Sequence, residues 1–152
     1  MRISAKADYA VRAALELAAA ADGDPVKGEQ LSDAQEIPLQ FLEHILLELK
    51  HARLVRAKRG ARGGYWLARS PEEITLADVI RAVEGPLANI QDSAPEATRY
   101  PGHAERLREV WVAVRANLRA VLENVTLADL TAGELPDEVR RLTANPDAWE
   151  AR

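Results

Sequence analysis

Apolar and polar positions along this chain follow a helical period at both ends and a strand period in the middle. Over residues 4–21, Ala7, Ala10, Val11, Ala14, Leu15 and Ala18 fall on one face at helical spacing, and Ser4 suits the N-cap. Asp22-Gly23-Asp24-Pro25 breaks that helix. Residues 26–35 read as a short second helix with Leu31 and Ala34 inward, and Glu36-Ile37 as a turn. Pro38 suits the first position of a third helix, because its missing N–H would be unpaired there anyway. In that helix Leu39, Leu42, Ile45, Leu46 and Leu49 mark the buried face. Gln40, Glu43, His44, Leu47 and His51 fall on the other side.

The period then drops to two. Leu54, Arg56 and Lys58 point one way, Val55 and Ala57 the other, which predicts a strand. Arg59-Gly60-Ala61-Arg62-Gly63-Gly64 reads as a hairpin tip, and Tyr65-Trp66-Leu67 as the returning strand. Thr75 can cap a fourth helix with Asp78 completing a capping box; Leu76, Val79, Ile80 and Val83 give its apolar face, and Glu84-Gly85-Pro86 stops it. Residues 87–103 show no period, and Pro95, Pro101 and Gly102 make them a loop of roughly 15 residues, a length usual for functional or mobile segments. Residues 104–125 read as the longest helix, about 33 Å at 1.5 Å per residue. Leu107, Trp111, Val114, Leu118, Val121 and Val125 recur at alternating four- and three-residue steps, a heptad seam suited to a dimer interface. Leu127 and Leu130 continue some apolar character, Gly133 and Pro136 close it, and residues 137–152 look like a frayed acidic tail. No internal repeat is expected.

Composition sharpens this picture. An apolar fraction of 47% in 152 residues is ample for a core, and alanine, leucine and valine carry it because only 5% is aromatic. There are no cysteines, which excludes disulfides, thiolate zinc sites and thiolate-held iron–sulfur clusters. Arg2 and Lys6 flank no apolar h-region, and no run of about 18 apolar residues exists, so neither a signal peptide nor a membrane span is expected and the default location is the cytoplasm. The formal net charge of −4 taken alone argues against a nucleic-acid binder. Its distribution argues the other way: Lys50, Arg53, Arg56, Lys58, Arg59, Arg62 and Arg69 form a run without an acidic residue, whereas acids dominate from Glu123 onward.

The expected fold is therefore mainly α with a small β-hairpin wing: a winged helix-turn-helix plus a long dimerisation helix. Its parts would be residues 1–84 for DNA binding, 85–103 for the loop, 104–131 for dimerisation and 132–152 for the acidic tail. On the exposed face of the third helix Glu43 can accept from the cytosine amino group and Gln40 can pair with adenine. Arg59 and Arg62 suit phosphate, or a minor groove where negative potential is focused. His44, His51 and His103 are too far apart to share a metal. Trp111 either packs a dimer or lines a small-molecule pocket against the loop, and Trp66 supports the wing strand. No nucleophile–base set and no phosphate-binding loop is present, so no catalytic residue, enzyme activity, metal or cofactor is expected.

Several of these residues, in this order, resemble the Rrf2 family of bacterial transcription regulators. The carriers are Arg2-Ile3-Ser4-Ala5-Lys6 with Tyr9-Ala10-Val11, Ile37-Pro38-Leu39-Gln40-Phe41-Leu42-Glu43, the tip Arg59-Gly60-Ala61-Arg62-Gly63-Gly64 with Tyr65-Trp66-Leu67, and Val125-Thr126-Leu127-Ala128-Asp129-Leu130. The resemblance implies a homodimer with crossed long helices that binds a partly palindromic operator. By position it implies that Gln40, Glu43 and His44, with Pro38 and Leu39 beside them, meet base edges. It puts Arg59, Gly60, Arg62 and Gly63 on the wing, and Arg2 and Lys6 near phosphates. Many relatives hold an iron–sulfur cluster through three cysteines in the loop after the fourth helix; residues 89–104 here contain none. Asp8 matches a carboxylate ligand of some relatives, but one carboxylate cannot hold a cluster, and a surface charge is its expected role. The resulting expectation is a dimeric DNA-binding regulator, more simply a repressor, without a cluster. A regulator gated by a small-molecule effector between loop and long helix, and a winged-helix module that binds protein, stay open as alternatives.

Overall fold

Alanine dominates the first helix, and alanine lets other elements come close to its axis. In a computed structural model that describes residues 2–151, this helix, α1 (Ala5–Ala19), is the post around which the rest is built. Ser4 caps it, its Oγ accepting the Ala7 N–H at 3.0 Å. Ala10 and Ala13 are completely buried and Leu17 nearly so, whereas Val11 and Leu15 are half-buried, so the buried face centres slightly off the expected one. α2 (Gly28–Gln35), α3 (Leu39–His51) and α4 (Leu76–Glu84) pack against α1, and α3 supplies Leu42, Ile45, Leu46 and Leu49 with no exposure at all. Burying each such side chain stabilises the fold by about 1.5–3 kcal/mol.

The second helix is shorter than its sequence predicts. Val26 is not helical: it exchanges two backbone hydrogen bonds with Tyr65, each 2.8 Å, and so adds a one-residue third strand to the wing. Ala34 is exposed rather than inward, and Leu31 alone anchors α2 in the core. The wing is β1 (Val55–Lys58) paired antiparallel with β2 (Gly64–Leu67), Val55 opposite Leu67 and Lys58 opposite Gly64. Leu54 does not share a face with Arg56 and Lys58. It lies before the strand and is buried with Val55, because Arg53, at φ +61, turns the chain there.

α4 begins with the expected capping box, Thr75 and Asp78 each accepting the other's backbone N–H. The same local design recurs at α6 (Leu127–Ala132), where Thr126 and Asp129 form a second capping box. The two N-termini are joined: Leu76 N–H donates to Val125 O and Leu127 N–H to Ile74 O, each 2.9 Å. Ile74-Thr75-Leu76-Ala77-Asp78 and Val125-Thr126-Leu127-Ala128-Asp129 are thus a short repeat that the sequence reading missed, paired back to back. Leu127 belongs to the same core cluster as α1, and Val125 is buried beside the bridge.

Between them stands α5 (Leu107–Leu122), 16 residues and so about 24 Å rather than 33 Å. It starts late because residues 102–104 form a single 3-10 turn after Pro101, and it ends before Val125, which is 3% exposed and packs in the core instead of on the helix seam. The preceding segment is more ordered than its lack of period implies. Ile90 and Ser93 exchange backbone hydrogen bonds around Gln91 and Asp92, and Pro95 is buried where a second 3-10 turn packs on α5. Nor is the acidic end frayed: α7 (Asp137–Thr143) packs on α5, with Arg140 and Arg141 paired to Asp137 and Glu138 one turn earlier. Among the described residues no helix is long and apolar enough to cross a membrane.

Candidate nucleic-acid interface

The turn between α2 and α3 sets the angle between these two helices. Glu36 closes α2 at φ +53, Ser32 Oγ donates to Ile37 O at 2.6 Å, and Ile37 is buried as the pivot. Pro38 is the N-cap of α3 at φ −54 and ψ 126, one position earlier than expected, and Leu39 is half-buried at its first turn. With Leu42, Ile45, Leu46 and Leu49 fixed inward, helical geometry turns Gln40, Glu43, His44 and Leu47 outward, and all four are exposed. They line one hollow with Pro38 and Phe41. The Phe41 ring stands edge-on to Tyr9 of α1, centroids 5.6 Å apart, and the Arg12 guanidinium lies 5.3 Å from the Tyr9 centroid. Leu47, which its spacing places on this face, and Phe41, which its spacing does not, are large apolar groups left exposed among polar ones.

The wing meets this helix. Glu43, Leu47 and Lys50 of α3 and Lys58, Arg59 and Tyr65 of the hairpin line one groove of about 380 Å³. Gly63 makes the tip: a Cβ there would lie 2.0 Å from Lys58 O, so no other residue fits without opening the turn. Gly60, at φ +104, accepts the Gly63 N–H at 2.9 Å and the Lys27 ammonium at 2.8 Å. Lys27 therefore ties the wing tip to the start of α2, a positioning role that nothing in the sequence pattern signalled. Arg59 and Arg62 are exposed, and among the described residues neither is in an ion pair.

Arg2 and Lys6 stand apart from that groove. Lys6 Nζ is 2.8 Å from Glu48 Oε1, both side chains half-buried, and the second Glu48 oxygen is buried without a partner. Arg2 lines a different cavity of about 500 Å³ with Ser4, Ile80, Glu84, Leu118 and Leu122, bounded by the first residues after α4. There the Ser4 hydroxyl donates to Glu84. Leu107, Trp111, Val114, Leu118 and Val121 are each half-buried along α5, while Val110 and Val112 are exposed beside them.

Asp8 is paired with Arg12 at 3.1 Å on the surface. In the loop, Glu96 is 2.5 Å from Arg115, whose side chain is only 14% exposed. The Glu96 carboxyl is held below its usual range, first by its own backbone N–H and then by Arg115. His44, His51 and His103 are all exposed, and among the described residues no three His, Cys, Asp or Glu side chains are grouped to hold a metal.

Residues 3–133 match the family model Rrf2, described as an iron-dependent transcriptional regulator. Over 151 residues the chain is 50% identical to Rv1287 of Mycobacterium tuberculosis strain H37Rv, named as an HTH-type transcriptional regulator, across 99% of this chain and 94% of that protein. It is 32% identical over 132 residues to the regulator CymR of Bacillus subtilis, across 87% of this chain and 91% of CymR. The solved structure of CymR, described as the global cysteine regulator of B. subtilis, superposes with a TM-score of 0.74 over 88% of this chain and 98% of that one at 31% identity. T. potens IscR superposes with a TM-score of 0.70 at 29% identity, over 100% of this chain and 93% of that one. Iron–sulfur clusters are held by thiolates, and this chain has no cysteine, so its residues do not fit such a group. In the loop Glu96 is already engaged with Arg115. Matched along nearly its whole length, with the recognition helix and wing both in place, this chain belongs to the Rrf2 family of transcriptional regulators as a cysteine-free member.

Proposed function

We propose that the protein is a homodimeric, sequence-specific DNA-binding regulator that acts as a repressor and carries no iron–sulfur cluster. One observation supports this most: the exposed face of α3 and the wing arginine Arg59 share a single groove, so a duplex against one meets the other. α3 would enter the major groove, where Glu43 selects cytosine and Gln40 adenine, with His44 beside them. Glu43 repels phosphate, so its contribution is selection rather than affinity. Arg59 and Arg62 on the tip supply phosphate or minor-groove attraction, and Arg2 adds a further charge at the start of α1. Lys6, already paired with Glu48, contributes less than the wing.

The half-buried seam of Leu107, Trp111, Val114, Leu118 and Val121 supports pairing through α5, since a face of that apolarity is stabilised by a second copy. Two copies then read half-sites about one helical turn, roughly 34 Å, apart. Occupying an operator suffices to repress, and such a protein works in the cytoplasm beside the chromosome. Arg59→Ala should weaken binding to any duplex and lower its salt dependence, whereas Glu43→Ala should change base preference. If neither substitution changes DNA binding, the site assignment is wrong. A protein-binding module, by contrast, would show no salt-sensitive retention on random-sequence DNA.

A second reading rests on the cavity bounded by Arg2, Ser4, Glu84 and Leu118, whose volume is in the small-molecule range. An effector bound there would touch both α4 and α5 and could gate the dimer. A thermal-shift screen with small metabolites tests this, and no hit across a broad set counts against it.

A further inference from the structure

Four cations between the last turn of α3 and the end of the hairpin lie away from the wing tip. Lys50, Arg53, Arg56 and Arg69 surround Trp66 in a second cleft of about 550 Å³ on the hairpin. This cleft is continuous with the groove that holds Glu43 and Arg59, because Lys50 and Ala57 line both. No carboxylate lines it, and Arg69 is 3.9 Å from Asp78. Among the described residues Lys50, Arg53 and Arg56 are in no ion pair. Arg56 lies directly across the ladder from Trp66, on the same side of the hairpin.

Arg53 carries the strongest signal. It holds φ +61, a conformation that favours glycine, at the corner between α3 and β1. Glycine would take that corner without strain, whereas arginine there brings both strain and like-charge repulsion from its neighbours. A strained residue with an unpartnered charge, set in a cleft with three more cations, fits an external polyanion.

We propose that this cleft is a second part of the DNA interface and binds the phosphate backbone flanking the bases met by α3. The proposal rests on the DNA-binding reading above and extends it. The contact is independent of sequence: it adds affinity and salt dependence and lengthens the footprint on the side of the hairpin away from the tip.

The test uses the full-length protein and a duplex of random sequence three helical turns long, with affinity followed by fluorescence anisotropy over a salt series. Each lost phosphate contact lowers the slope of log affinity against log salt by about 0.9. Arg53→Gly combined with Arg56→Ser removes two contacts from each subunit of the dimer, so it should lower the slope by about 3.6 and weaken binding at every salt concentration. Arg53→Gly alone should bind more weakly while melting at a higher temperature, because the strain is relieved. That pairing separates a lost contact from a damaged fold. The charge-matched Arg140→Ala/Arg141→Ala variant on α7 should leave the slope unchanged. The proposal is overturned if the cleft variant keeps the wild-type slope while Arg59→Ala lowers it, or if the α7 variant loses as much as the cleft variant. If the wild-type protein does not bind the duplex, the DNA-binding reading itself fails.

Discussion

Gly63→Ala tests how the wing is held. A methyl group on Gly63 would sit 2.0 Å from Lys58 O, 2.7 Å from Lys58 C and 2.8 Å from Arg59 C. All three are backbone atoms, so relief requires the strands to part. Parting them loses the Gly63 N–H to Gly60 O bond, 2.9 Å, and the Lys58–Gly64 rung. At about 1 kcal/mol for each bond the loss is about 2 kcal/mol, which lowers Tm by roughly 4–8 °C for a chain of this size. The displaced tip carries Arg59 and Arg62, so DNA affinity should fall about ten-fold, equivalent to about 1.4 kcal/mol. Gly60→Ala is the control. Gly60 also has positive φ, but its Cβ would meet nothing within 4 Å, so the cost is strain of about 1 kcal/mol without displacement. Thermal melting followed by circular dichroism and anisotropy on one duplex measure both effects. The reasoning is refuted if Gly63→Ala is no less stable than Gly60→Ala and binds DNA as tightly as the wild type.

Other changes read different parts of the fold. Lys27→Ala removes the ammonium that holds Gly60 O, so it should reduce DNA affinity several-fold with little change in Tm; an unchanged affinity would show that the wing tip holds itself. Thr126→Ala removes one side of the capping box on α6 and should cost about 1 kcal/mol, lowering Tm by about 2–4 °C, and Thr75→Ala should behave alike. Glu96→Gln should destabilise the loop against α5 at neutral pH. Because the folded Glu96 carboxyl titrates below its usual range, the wild-type advantage is present above that range and disappears as pH falls through the lowered value. A difference in Tm that persists unchanged into acid would contradict the Glu96–Arg115 account.

How much of this was legible depends on whether the determinant was local. α4 was read almost residue for residue, because Thr75, Asp78 and Gly85 mark its ends chemically. The buried face of α3 was equally plain from Leu42, Ile45, Leu46 and Leu49. Val26 was misread because its role is set by Tyr65, far away in sequence. Leu54 was misread because alternation cannot foresee that Arg53 turns the chain. Val125 continues the heptad spacing perfectly, yet the bridge between Thr75 and Thr126 pulls it into the core. The same bridge explains why the repeated Thr-Leu-Ala-Asp went unnoticed, since its meaning appears only when the two copies meet. In the candidate site, the exposed face of α3 and the wing arginines followed from periodicity and charge. Lys27, Phe41 and the cleft around Trp66 did not, since each depends on how α2, α1 or the hairpin packs.

The central claim is that α3 and the wing together read DNA sequence. Selection of bound fragments from a random-sequence library tests it most directly, with the wild-type protein and Glu43→Ala compared side by side. The account predicts enrichment of one partly palindromic sequence by the wild type, and a changed preference at a symmetric pair of positions in the variant. Recovery of fragments that share no sequence, or the same motif from both proteins, would contradict it.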